Sequence, residues 1–209
     1  MFESAVDARV LRLLREAFAD AGISARFYLA GGTALALHRG HRRSEDIDLF
    51  SRESFHEADF EEFIIKRRGT MFKLEAGTVH GVVDGVRISF LHYPYACVSP
   101  LLRWENIELA GIPDIAAMKA AAISRRGEKK DFFDMFELLK VLSPEEIKRA
   151  YVAKYGPDRT NCYHTLRSMF YFDDADSSPD PISLNGATWA QVKESFRQME
   201  SEMTRTLLC

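Results

Sequence analysis

Paired cysteines, a long apolar run and an excess of positive charge are all missing from this 209-residue chain. The three cysteines, Cys97, Cys162 and Cys209, are odd in number and far apart, with no spacing that makes a metal-ligand pair. None sits where a nucleophile is expected, and no secretory signal is read, so reduced thiols in a cytoplasmic protein are the expectation. No apolar run reaches bilayer length, which leaves no membrane partner to expect. No internal repeat is visible, which argues against a solenoid. With 28 Lys and Arg against 31 Asp and Glu, the net charge of −3 excludes a globally basic nucleic-acid binder. Only local basic patches remain, at Arg39 to Arg43, Lys66-Arg67-Arg68 and Arg125 to Lys130.

What is present is the composition of an ordinary globular protein, 46% apolar and 28% charged, of a length that suits one domain with a helical extension. The stretch Phe27 to Ser51, FYLAGGTALALHRGHRRSEDIDLFS, organises the rest. Phe27-Tyr28-Leu29-Ala30 reads as a buried strand, Gly31-Gly32-Thr33 as a turn, and Ala34-Leu35-Ala36-Leu37 as the start of a helix. That sequence aims free backbone N–H groups at an anion. Asp46-Ile47-Asp48-Leu49-Phe50 alternates as a half-buried strand does, so Asp46 and Asp48 share a face, about 7 Å apart. A phosphate cradle followed by two carboxylates suggests a metal–nucleoside triphosphate site. Oxygen ligands suit Mg²⁺, and two metals about 4 Å apart can clamp an in-line phosphoryl displacement. The plain alternative is two solvent-facing acids on an edge strand. Glycines, basic loop and acid pair arriving in order argue against it.

Together, Gly31-Gly32-Thr33-Ala34-Leu35-Ala36-Leu37, Gly40-His41-Arg42 and Ser44-x-Asp46-Ile47-Asp48-Leu49 resemble the signature of DNA polymerase β-like nucleotidyltransferases. The pattern is most similar to the AbiEii/AbiGii toxins of type IV toxin–antitoxin systems. The resemblance covers most of residues 25–142 and the tail only loosely. It implies an α+β fold, a small mixed sheet flanked by helices. Residues 1–112 would form the nucleotidyltransferase core, and a helical region at 113–209 would complete the cleft. It further implies catalytic Asp46, Asp48, Lys119 and Asp131, with Asp46 and Asp48 as ligands of Mg²⁺ or Mn²⁺. Gly31, Gly32, Thr33, Arg42, Ser44 and Lys119 would bind the nucleotide; Ser44 serves equally as a turn cap. By the same resemblance the substrate is a nucleoside triphosphate, the acceptor is RNA, in particular the 3′ end of tRNA, and an antitoxin is encoded nearby.

Along the rest of the chain, Glu3 to Asp20 reads as an amphipathic helix capped near Gly22, and Phe55 to Arg67 as a second, with Phe55, Phe60, Phe63 and Ile64 inward. Strands follow at Phe72–Leu74, Val79–Val83 and Val86–Leu91, with a hairpin turn at Asp84-Gly85, and a last strand at Ile107–Ile112. Nucleotidyltransferases of the superfamily commonly place a third carboxylate near the middle of the Val86 strand, where this chain has Ser89, a far poorer metal ligand; either this group does without the acid, or metal binding is weakened, or the enzyme is degenerate. Pro113 opens a helix in which Lys119 lies on the apolar stripe of Ile115 and Ile123. A lysine there either snorkels or meets carboxylates or phosphates. The next helix is expected to start at Asp131, read as a cap or first-turn acid as well as the family's cleft acid. Asp134 reads as a surface acid or a partner of Lys130, though Lys130-Asp131-x-x-Asp134 also resembles the family's Arg/Lys-Asp-x-x-Asp motif. His38 and His41 read as surface or packing histidines. Ser143 begins a capping box, helices follow at about 161–170 and 189–207, and Asp173 to Pro181 reads as an acidic linker.

The expected chemistry is attack of an acceptor hydroxyl on the α-phosphate with release of pyrophosphate. Two other readings stay open: a non-catalytic member whose Ser89 marks a lost metal site, and a nucleotidyltransferase acting on a protein or small molecule. The acidic total charge means that RNA follows from the resemblance and not from electrostatics.

Overall fold

The computed structural model describes residues 1–208, with side chains described through Thr206; Cys209 lies outside the described residues. The chain begins with a 3₁₀ turn and not the single helix expected over 3–20, because Asp7 caps a separate start. Helix α1 spans Ala8–Ala19 and buries Val10, Leu11, Leu13, Leu14 and Phe18. Gly22 is not its cap: the Asp20 carboxylate accepts from the Gly22 and Ile23 amides and starts the short α2, Ala21–Ser24. Strand β1 (Phe27–Leu29) runs into α3 (Gly31–Arg39), and after the basic loop comes β2 (Asp46–Ser51). Helix α4 (Glu57–Lys66) buries Phe60, Phe63 and Ile64, with Phe55 buried just before it. Strands β3 (Thr70–Glu75), β4 (Thr78–Val83) and β5 (Val86–His92) form a meander. Asp84 and Gly85 turn it with φ of 53° and 76°, as a two-residue hairpin requires. A short edge strand that the sequence did not suggest, β6 (Leu102–Trp104), pairs with β7 (Ile107–Leu109).

Among the described residues these strands make one seven-stranded mixed sheet in the order β3-β4-β5-β2-β1-β7-β6. Strand β2 is central, antiparallel to β1 and parallel to β5. Its odd positions, Ile47 and Leu49, are fully buried, and Asp46 and Asp48 face the other side, half-buried. Helix α5 (Ile112–Arg125) carries Pro113 in its first turn. Helix α6 (Lys129–Leu138) starts two residues before Asp131, with Glu128 at its N-cap position. Helix α7 (Pro144–Tyr155) opens on the Ser143/Glu146 capping box, and α8 (Cys162–Met169) is capped by Asn161. The acidic stretch at 173–181 is partly helical, as α9 (Asp173–Asp176). It is tied back to α6, since the Lys129 amide donates to Ser178 Oγ and the Lys129 ammonium pairs with Asp180. Helix α10 (Trp189–Leu208) closes the chain.

One hydrophobic cluster joins sheet and helices, from Val10 and Leu14 through Leu29, Ile47 and Ile88 to Ile115, Phe132 and Phe196. Just before α10 the backbone returns to the basic loop. Arg43 and Leu184 amides donate to the Ile182 and His41 carbonyls, covering His41 and Arg42. Among the described residues no helix is long and apolar enough to cross a membrane, and Cys97 and Cys162 are free thiols.

Candidate active site

The site is built around the turn between β1 and α3. The Ala30 amide donates to the Asp48 carbonyl at 3.2 Å, which seats the turn against β2. Gly31 then takes φ +70°, and a Cβ there would lie 3.2 Å from Asp48 Oδ2. At Gly32 a Cβ would collide with the Arg42 guanidinium. Gly31 is favoured by its left-handed backbone, and at Gly32 a side chain would have to displace the Arg42 guanidinium from Asp134. Ala30, in the N-cap position, offers no side-chain acceptor to the first-turn amides of α3, which leaves them as anion donors. Thr33 and Ser44 are buried, their hydroxyls 2.9 Å apart, and Thr33 also donates to the Asp46 carbonyl. These two side chains pin α3 to the approach of β2.

On β2 the two carboxylates stand opposite partners on β5, Asp46 opposite Arg87 and Asp48 opposite Ser89. Arg87 holds Asp46 through two hydrogen bonds of 2.8 and 3.2 Å, an exposed pair of the kind worth about 0–1 kcal/mol. Burial and the neighbouring Asp46 charge push the Asp48 carboxyl up; the Ser89 hydroxyl, Lys119 and Arg126 oppose them only in part. Ser89 also bonds His80 Nδ1 at 2.8 Å, so Asp48, Ser89 and His80 form a row across β2, β5 and β4. A serine thus stands directly opposite Asp48 on β5. Among the described residues no three His, Cys, Asp or Glu side chains form a group suited to a metal ion. The pair still fits Mg²⁺, which is commonly held by one or two carboxylates with substrate phosphates completing its shell. Two close like charges, one with a raised pKa, are what such a cation relieves.

Behind the pair lies a buried ionic network. The Lys119 ammonium, 5% exposed, sits 2.9 Å from Asp131 Oδ1 and 2.5 Å from Asp134 Oδ2. The lysine on an apolar stripe thus meets two carboxylates and does not snorkel. Asp134, expected at the surface or beside Lys130, is fully buried, while Lys130 pairs with Glu128. Its oxygens accept from Arg42 Nε at 2.6 Å and Nη2 at 2.8 Å, and from His41 Nε2 at 2.7 Å. Arg42 spends its Nη1 on the Arg43 carbonyl, so all three of its nitrogens have protein partners and the side chain is buried, where the sequence led us to expect a nucleotide ligand. Arg126, half-exposed, bonds both oxygens of Asp131 at 2.9 and 3.1 Å.

Burial alone would raise the carboxyls of Asp131 and Asp134 and lower the Lys119 ammonium. The opposite charges outweigh it: both aspartates titrate below their ordinary range, Asp134 well below, and Lys119 above its own. Three cations therefore face two carboxylates, and Lys119 and Arg126 both act on Asp48. Arg126 is the residue that the sequence reading passed over. It lay inside a basic loop, and nothing in the loop's composition separated it from Arg125.

Known proteins resemble this chain in sequence and in fold. A family model described as the nucleotidyl transferase AbiEii toxin of type IV toxin–antitoxin systems matches residues 12–207. A relative from Aquifex aeolicus (strain VF5), named uncharacterized protein aq_aa25, is 35% identical over 197 residues, covering 87% of this chain and 89% of the relative. Among solved structures, the nucleotidyltransferase toxin MenT4 of Mycobacterium tuberculosis H37Rv is similar with a TM-score of 0.52 at 14% identity, covering 88% of this chain and 84% of that one. The antibiotic-resistance factor ANT(2'')-Ia is similar with a TM-score of 0.54 at 12% identity, covering 70% and 92%. At these identities the two structures establish a shared fold.

Proposed function

The chain belongs to the AbiEii family of nucleotidyltransferase toxins of type IV toxin–antitoxin systems, and from that premise we propose that it moves a nucleoside monophosphate from a nucleoside triphosphate to a hydroxyl of RNA, the 3′ end of tRNA in particular. The observation that carries the reading is the meeting of the Gly31 turn with Asp48, where a missing Cβ leaves room at the carboxylate. The α3 amides and Arg126 would take the triphosphate, the amides through the helix terminus and Arg126 through its half-exposed guanidinium. Asp46 and Asp48 would hold Mg²⁺ or Mn²⁺, which when bound neutralises charge that develops on the phosphoryl group. Arg87 would release Asp46 at little cost, because the pair is exposed.

Lys119 and Asp131, both from the 113–209 region, complete the cleft from below. Lys119 adds fixed positive potential without leaving its carboxylates, and Asp131 orients Arg126. Asp131, closed in by Lys119 and Arg126, has no open oxygen with which to activate the acceptor hydroxyl in this arrangement. Catalysis here is mostly positioning and charge neutralisation. Arg42 and Asp134 act one layer deeper, as supports. An antitoxin encoded nearby would keep the activity in check.

A transfer assay tests this. Purified protein, Mg²⁺ and each α-labelled nucleoside triphosphate are incubated with bulk tRNA, beside an Asp46→Ala/Asp48→Ala control. Label is expected on tRNA, falling by at least 10²- to 10³-fold in the control. Label on protein would move the acceptor class, and label unchanged in the control would remove the two aspartates from the chemistry.

A further inference from the structure

Strand β3 carries a bulge whose extra residue is Phe72. Met71 pairs with Gly81 and Lys73 with His80, which leaves Phe72 without an opposite number. Bulges re-aim side chains, and this one lays the Phe72 ring parallel over the His80 ring, centroids 5.6 Å apart and 11° from coplanar. The phenyl group nevertheless remains 59% exposed. His80 is bonded to Ser89, which stands opposite Asp48, so the aromatic pair is the outer end of the row that begins at the carboxylates. Lys73, beside it, is half-exposed and held only by an exposed pair with Glu75. An exposed aromatic stacked on a ring fixed by a hydrogen bond, with an exposed ammonium alongside, is the surface on which an unpaired nucleobase stacks.

Sheet order decides which base. The Gly31 turn and α3 flank β2 on the β1 side, whereas β5, β4 and β3 extend from its other edge. In an in-line displacement the attacking hydroxyl approaches opposite the leaving pyrophosphate. With the triphosphate on the α3 side, the acceptor arrives over β5 and β4. Strand spacing of about 4.8 Å puts β3 three strands, roughly 14 Å, from β2. That is beyond the base of a nucleotide reacting at Asp48, and within reach of a base further back in the acceptor strand.

We propose that Phe72, backed by His80, stacks an unpaired nucleobase near the 3′ end of the acceptor RNA and sets its register against Asp46 and Asp48. This rests on the RNA-acceptor reading above. The probe is a 5′-labelled RNA hairpin with a single-stranded 3′ end, compared with the same hairpin made blunt. Binding is read by anisotropy, and transfer by KM for RNA and for nucleotide separately. Phe72→Ala is expected to raise Kd and KM for the overhanging RNA by about 10- to 100-fold. Its KM for nucleotide and its melting temperature should stay at the wild-type values, and Phe72→Trp should retain RNA affinity. Unchanged RNA affinity in Phe72→Ala, or equal binding of the blunt hairpin, overturns the platform while leaving RNA transfer standing. Wild-type protein that binds Mg²⁺–nucleotide but neither binds nor modifies RNA overturns the acceptor reading and the platform together.

Discussion

Asp46 and Asp134 are both aspartates of this cleft, and their surroundings assign them opposite duties. Asp134 is fully buried and takes hydrogen bonds from Arg42 and His41 beside the Lys119 ammonium. Removing it leaves the buried Arg42 guanidinium without its carboxylate, although Lys119 keeps Asp131, so Asp134→Ala should lose about 3–5 kcal/mol of stability in urea unfolding. Asp46 is half-buried with one exposed partner, and Asp46→Ala should change stability by no more than about 0.5 kcal/mol while abolishing transfer. Arg126 divides the two roles: its inner donors hold Asp131, and half of its side chain remains exposed near Asp48. Arg126→Ala should fold, with Lys119 still on Asp131, and lose about 10²- to 10³-fold in kcat. A wild-type kcat in that variant would remove Arg126 from the phosphate-binding set.

The strand and helix of β1 and α3 were legible in the sequence because their signals are local, but Gly31-Gly32-Thr33, read as a turn before the helix, is the first turn of α3 itself, with Ala30 alone at the N-cap position. An apolar run, two glycines and a run of Ala and Leu need no distant partner to be read. Gly31 tests how tightly that unit is specified. Gly31→Ala forces a non-glycine residue to φ +70° and sets a methyl 3.2 Å from Asp48 Oδ2. The backbone alone should cost about 1–2 kcal/mol, and transfer should fall with it; Gly22→Ala in α2, whose methyl would meet Asp20 Oδ1 at the same 3.2 Å but without a positive φ, is the control that isolates the backbone. Where the reading erred, the missing information was not local. Asp134 looked like a surface acid because its partner Arg42 is 92 residues away. Helix α6 begins before Asp131 because Lys129 is anchored by Ser178 and Asp180, from a stretch that composition marks as linker. Strand β6 has an exposed Leu102 and too little alternation to announce itself, and the bulge at Phe72 exists only as a mismatch with β4. Lys119 was the intermediate case. Its stripe signalled a buried ammonium, but only the fold supplied Asp131 and Asp134.

The same ionic network decides how the two parts of the chain stay together in acid. It joins the loop before β2, through His41 and Arg42, to α5 through Lys119 and to α6 through Asp131 and Asp134. Burial pushes both carboxyls up, yet Arg42 and Lys119 hold Asp134 well below its ordinary value, and Lys119 and Arg126 hold Asp131 below its own. A carboxyl whose pKa is lower folded than unfolded stabilises the fold wherever it is ionised in both states. That contribution is complete above the unfolded value, about 3.9, and is lost as pH falls toward the folded one. Stability should therefore be flat in this respect from pH 7 to about 5 and fall steeply below about 4. Asp134→Asn removes the titrating group, so its deficit relative to wild type should be largest near neutrality and shrink as pH drops below about 4. Urea unfolding of both proteins between pH 7 and 3 measures the difference directly. A deficit that stays constant over that range would mean that Asp134 stabilises by its shape and hydrogen bonds, and that the charge of the network is not what holds the helical half to the sheet.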